Sequence, residues 1–168
     1  MKEILITGSR GFIGTAIRKE IKIEYREVDL TLGMDHKDII GRKGILVFLS
    51  SWVQPSESVV HPVKYLENNL TALSKIIMNN EFDGIIFPSS HAVYDKEGNL
   101  EPASVYGLTK LAGEKLIKIY YKNYWILRLG NPYGYGDNRS MFYHLAQCKL
   151  NVVHKRWTPI LIMYHVRK

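Results

Sequence analysis

The chain has 168 residues, 46% of them hydrophobic and 23% charged, which suits one globular domain with a sizeable core and leaves no room for two ordinary ones. No apolar run approaches the roughly 20 residues of a membrane span. The first residues also lack the apolar stretch and cleavage site of a secretory leader, so a cytoplasmic chain with no membrane partner is expected. The net charge of +7 is uneven, since all 16 acidic residues precede Asn138, whereas Arg139, Lys149, Lys155, Arg156, Arg167 and Lys168 follow it. With no nucleic-acid motif beside it, this basic tail reads as a solvated face, and no nucleic-acid partner is expected.

In chain order, residues 2–7 predict a short buried strand, after which Phe12, Ile13, Ala16, Ile17 and Ile21 recur at helical spacing. Residues 24–30, 44–50, 84–89 and 124–129 predict four more strands. Leu66, Leu70, Leu73, Ile76 and Ile77 share one face of a helix over 63–80, and Leu108, Leu111, Ala112, Leu116 and Tyr120 do so over 105–121. Strands alternating with helices of this length predict an α/β fold, a parallel sheet covered on both faces. Cys148 is the sole cysteine, so no disulfide framework or cysteine metal cluster is available, and no metal site is expected.

Residues 7–14 read TGSRGFIG between the first strand and the first helix, which is the context a dinucleotide-binding loop requires. Gly8 and Gly11 allow a tight turn and close approach of backbone to a pyrophosphate, Gly14 lets helix meet strand, and the helix N-terminus faces the phosphates. Asp29, at the end of the second strand, suits the two hydroxyls of an adenosine ribose and favours NAD, because a carboxylate repels a 2′-phosphate. Arg10, inside the loop, suits that phosphate and keeps NADP open. Tyr106 and Lys110 in YGLTK stand one helical turn apart on one face. An ammonium there is expected to stabilise the phenolate and lower the tyrosine pKa from near 10, preparing Tyr106 for proton transfer.

Together these features resemble the extended short-chain dehydrogenase/reductase superfamily, in its NAD-dependent epimerase/dehydratase family. The stretches that carry the resemblance are TGSRGFIG at 7–14, Asp29, FLSS at 48–51, NLTALSKII at 69–77, PSSHAVYD at 88–95, YGLTKLAGEKL at 106–116 and LRLGNPYGYG at 127–136. The resemblance implies a Rossmann-like doubly wound sheet and a cofactor shell of Gly8, Arg10, Gly11, Phe12, Ile13, Gly14 and Asp29. It implies Ser90 as the residue that hydrogen-bonds the reacting hydroxyl or keto group, Tyr106 as acid/base, and Lys110 as holder of the nicotinamide ribose. Asn69, beside Asn68, is similar to an asparagine that anchors a helix and a relay water and is counted with Tyr106 and Lys110 among the cofactor-binding residues, and Asn131 is similar to one that contacts the substrate's diphosphate. The activity implied is that of a sugar-nucleotide epimerase or reductase, in a homodimer packed through the helix of Tyr106 and the helix holding 66–77.

The chain also departs from the family pattern. Dehydratases of this branch carry Asp-Glu after the active serine or threonine, where His91 and Ala92 stand here, so a 4,6-dehydratase is not expected. His91 is left as a second acid/base on the substrate side or a loop histidine with an ordinary partner. Residues 1–136 read as the NAD(P)-binding domain. Residues 137–168 hold one further candidate helix over 140–149 and read as a short remnant or replacement of the substrate region, left by truncation or a shift of reading frame. The other reading is a native short form in which 159–166 adds an edge strand or a partner-binding patch. The alternative to an enzyme is a nucleotide-binding remnant or interaction module without turnover.

Overall fold

The computed structural model describes residues 2–28, 39–130 and 132, together with the backbone of Met163–His165. Five strands, β1 (Ile4–Thr7), β2 (Arg26–Val28), β3 (Ile45–Phe48), β4 (Gly84–Ser90) and β5 (Tyr124–Leu129), run parallel in the order β2-β1-β3-β4-β5. A sixth, β6 (Met163–His165), joins the edge antiparallel to β5, within the run for which the sequence offers an edge strand. The five parallel strands are those expected from the apolar runs, each within a few residues of its expected ends. Asp29, Asn131 and the candidate helix over 140–149 lie outside the described residues.

The helices are α1 (Phe12–Glu20), α2 (Pro55–Val60), α3 (Pro62–Tyr65), α4 (Ala72–Met78) and α5 (Val105–Tyr120). The chain steps one way across the sheet from β1 to β2 and the other way from β3 through β4 to β5. Right-handed crossovers therefore set α1 on one face and α2 to α5 on the other, the doubly wound, Rossmann-like arrangement. Alternation along the strands fills both sides. Leu5, Leu46, Phe48, Ile85 and Phe87 join Leu73, Ile76 and Ile117 of α4 and α5 in the main core, with Phe48 and Phe87 stacked at 6.3 Å. Ile6 and Val47, of opposite parity, are buried on the other side.

The helix expected over 63–80 is three pieces: α3, a π-helical segment (Leu66–Thr71) and α4. The widened turn holds the buried Asn69, and such turns favour functional places in helices. The six-residue α2 is too short to show periodicity, although Pro55 at its first turn with Glu57 close behind is a start signal that the sequence carries. Among the described residues no helix is long and apolar enough to cross a membrane.

Candidate dinucleotide and proton-transfer site

The direction of winding reverses between β1 and β3, and the carboxyl ends of strands at such a switch point form a crevice for ligands in open α/β sheets. The loop at 7–14 lies there. Gly8 takes φ +66 beside the β3 end, where a Cβ would stand 2.8 Å from the Ser50 nitrogen. At Gly14 a Cβ would collide with the Gly8 carbonyl oxygen and lie 2.6 Å from the Ser9 Cα, so helix, loop and strand close only around hydrogen at that position. Gly11 is the N-cap of the nine-residue α1 and supplies no side-chain cap to its first N–H groups. Bare glycine backbone leading into an uncapped helix start fits the phosphates of a dinucleotide.

Phe12 and Ile13, half-buried, open that helix, and Arg10 is exposed in the loop. Ser9 donates to Glu27 of β2 at 2.8 Å, and Glu27 also pairs with Arg18 at 3.0 Å. The loop is thereby tied to the strand that leads to position 29.

The second half of the site is built by α5 against the end of β4. Ser104 caps α5 by accepting from the Gly107 amide at 3.1 Å, and the buried Ser58 of α2 accepts from the Tyr106 amide at 3.0 Å. At Gly107 a Cβ would collide with the Ala92 carbonyl oxygen, so this residue lets the helix start press onto the 3₁₀ turn His91–Val93. The approach brings Tyr106 to Ser90, which also caps the turn by accepting from the Ala92 amide at 3.1 Å. Ser90 draws the Tyr106 phenol's pKa down. Both are buried, whereas His91 is exposed on the turn.

Lys110 is buried and engaged beside the end of β4. Its ammonium nitrogen donates to the Pro88 carbonyl at 2.9 Å and lies 4.9 Å from the Phe87 ring centroid and 5.9 Å from that of Tyr106. Burial, with no carboxylate partner among the described residues, pushes its pKa down to about 7. The expectation that Lys110 lowers the Tyr106 pKa is therefore corrected. Burial pushes the phenol above its usual 10.0, and the opposing pull comes from Ser90.

Asn69 has a structural task. Its side chain accepts from the Trp52 amide at 2.7 Å, donates to the Trp52 carbonyl at 2.9 Å and donates to Thr109 at 3.3 Å. Both amide protons are thus engaged, and the loop after β3 is clasped to α5 next to Lys110. Asn68 instead turns outward and bonds within its own helix.

Sequence reasoning passed over a buried ionic group behind Ser90. Arg128 of β5 grips Glu114 of α5 through Nε at 2.8 Å and Nη2 at 2.6 Å, Ser89 donates to the same carboxylate at 2.6 Å, and Arg128 also contacts the Tyr94 hydroxyl. The Glu114 carboxylate pushes the guanidinium pKa further up. A signal was present: an arginine inside the apolar strand YWILRL must find a partner, and Glu114 extends the Tyr106, Lys110 stripe by one turn.

A glycine loop at a switch point, with a buried serine, tyrosine and lysine beyond it, defines a Rossmann-like dinucleotide-type fold. The family assignment agrees: residues 4–163 match the NAD dependent epimerase/dehydratase family, and the chain belongs to it. NAD is the cofactor of that family. A putative UDP-glucose 4-epimerase of Methanocaldococcus jannaschii is 28% identical over 78% of this chain and 56% of its own length. The chain is also similar to the UDP-N-acetylglucosamine 4-epimerase of Methanobrevibacter ruminantium, solved with UDP-N-acetylmuramic acid (TM-score 0.64, 23% identity, 84% of this chain and 59% of that one). The fold is shared too by the dTDP-4-dehydrorhamnose reductase of Yersinia enterocolitica (TM-score 0.71, 19% identity, 88% of this chain and 59% of that one). The chain thus spans little more than half the length of these relatives.

Proposed function

We propose that this chain carries the cofactor-binding and proton-transfer part of an NAD-dependent sugar-nucleotide epimerase or reductase. The observation that carries the reading is the buried grouping of Ser90, Tyr106 and Lys110, in which the lysine bonds the Pro88 carbonyl and has no carboxylate partner among the described residues. The loop from Gly8 to Gly14 and the start of α1, with Phe12 and Ile13, would hold the pyrophosphate, Arg10 and Asp29 the adenosine ribose, and Lys110 the nicotinamide ribose. The bound nicotinamide supplies a hydride acceptor and donor. Ser90 orients a sugar hydroxyl or keto oxygen by hydrogen bonding, and Tyr106 exchanges a proton with that oxygen at its phenolic oxygen. Because burial keeps the phenol protonated at neutral pH, Tyr106 rests as a proton donor, the form a reductive step consumes. His91 and Asn131 belong to the substrate side, and the substrate is a nucleotide sugar.

A homodimer is part of the proposal. Val59 and Val63, on α2 and α3, and Leu108 of α5 stand 61%, 63% and 50% exposed on elements that lie side by side, an apolar face that a second copy would cover.

Calorimetric titration with NAD⁺ and NADP⁺, followed by UDP-, GDP- and dTDP-sugars, tests the reading. NAD⁺ binding followed by binding of one sugar class is expected. Cofactor binding without any sugar reduces the chain to a dinucleotide-binding module, and no cofactor binding overturns the proposal.

A further inference from the structure

Tyr106, Lys110 and Glu114 follow one another at four-residue intervals on one face of α5, all buried. A buried lysine one turn from a buried carboxylate ordinarily takes it as counterion. Here it does not. The Glu114 Oε1 receives Arg128 Nε and the Ser89 hydroxyl, its Oε2 receives Arg128 Nη2, and Lys110 turns to the Pro88 carbonyl instead.

We propose that Arg128 is a positioning residue that acts through Glu114: by occupying both oxygens of that carboxylate it withholds a counterion from Lys110 and leaves the amine free for a ligand. The geometry of Arg128 suits the task. Its planar fork reaches both oxygens at once and its guanidinium carbon lies 4.9 Å from the Tyr94 ring centroid, an arrangement that lysine does not reproduce. The buried amine titrating at about 7 is what such withholding produces. The ligand, on the functional reading above, is a ribose hydroxyl pair; the inference rests on that reading for the identity of the ligand alone.

Among the described residues, other elements against α5 offer Lys110 no substitute. Glu57 of α2 receives the Tyr65 hydroxyl, and Lys64 of α3, Glu67 of the π-helical segment and Lys75 of α4 are exposed. β4 brings serines and no ionisable group, the 3₁₀ turn brings the exposed His91, Tyr94 follows it, and β5 brings Arg128 itself.

The test is an NMR titration of lysine ¹³Cε-labelled protein without cofactor, the Lys110 signal being assigned by its absence in Lys110→Met. In Arg128→Met the freed Glu114 becomes the counterion, and the Lys110 midpoint is expected to rise by about one to three pH units. Arg128→Lys, which keeps a cation but engages one oxygen, gives a smaller rise. The double variant Glu114→Gln/Arg128→Met leaves the midpoint near its wild-type value, because it contains neither a carboxylate to release nor the Arg128 cation, and Glu114→Gln alone gives no rise. An unchanged midpoint in both Arg128 variants overturns the inference, as does a fall in the double variant, which would show Glu114 already serving Lys110. If Arg128→Met does not fold, Arg128→Lys and Glu114→Gln still decide. Failure of the wild type to bind NAD⁺ overturns the functional reading instead, without touching this titration.

Discussion

Lys110 stands one helical turn from Tyr106 with its nitrogen 5.9 Å from the centre of the tyrosine ring, and it gives its hydrogen bond to the Pro88 carbonyl rather than to the phenol. The two side chains share a buried face, and burial acts on them in opposite directions. It lowers the affinity of the lysine for its proton and raises that of the tyrosine, so that both neutral forms gain.

Folding stability depends on pH accordingly. Lys110 holds its proton to about 7 in the folded chain and to 10.5 as a free side chain. Between those values the unfolded state binds the extra proton, so stability rises with pH through that window. The rise is at most about 1.4 kcal/mol per pH unit from this group. Below about pH 7 both states hold the proton and the full cost of the buried charge is present. Urea unfolding at pH 6, 7.5 and 9 should show wild type gaining on Lys110→Met as pH rises, with Lys110→Met the more stable at pH 6. Parallel curves for the two would refute the linkage.

Removing the phenolic hydroxyl separates chemistry from folding. Tyr106→Phe removes the hydroxyl that Ser90 acts on and keeps the ring. NAD⁺ affinity by calorimetry is expected to remain, while turnover of the sugar nucleotide that binds falls about 10²–10⁴-fold. Turnover within a factor of two of wild type would remove Tyr106 from the reaction.

At the loop, Gly14→Ala places a methyl group against the Gly8 carbonyl and the Ser9 backbone, neither of which can yield as a flexible side chain does. A loss of about 1–3 kcal/mol in thermal or urea unfolding is expected, with weaker NAD⁺ binding. An alanine at Gly98 meets nothing within 4 Å and bears only the cost of φ +90, which makes it a control for backbone strain without collision.

The Asn69 clasp predicts a coupled change. Asn69→Ala strips two hydrogen bonds from the Trp52 backbone and one from Thr109, at a cost of about 2–4 kcal/mol for the lost bonds and stranded groups. Trp52 packs edge-on against Tyr65 at 5.9 Å beneath the Lys64 ammonium at 4.6 Å. A red shift of tryptophan emission should accompany the loss of stability. An unshifted spectrum would mean that the loop keeps its place without Asn69.

For the dimer, sedimentation velocity of wild type against Val63→Lys/Leu108→Lys is the measurement. Both side chains are exposed, so the variant should fold with unchanged stability and sediment as a monomer where wild type is a dimer. A dimeric variant would place the interface elsewhere.

The sequence by itself determined whatever local periodicity and backbone chemistry decide. Apolar runs of strand length set β1 to β5, glycine spacing set the turn into α1, and the four-residue interval set Tyr106 and Lys110 on one face. Tertiary structure alone decided how the charges are shared, because the partners meet across long stretches of chain. Ser58 caps Tyr106 from 48 residues away, Asn69 reaches Thr109 across 40, and Arg128 reaches Glu114 across 14. Spacing placed a lysine between a tyrosine and a glutamate; only folding showed that the glutamate belongs to Arg128 and that the lysine is left in a low-dielectric site with a carbonyl for company. In that setting burial outweighs proximity, which is why Ser90, and not Lys110, is the residue that eases the Tyr106 proton.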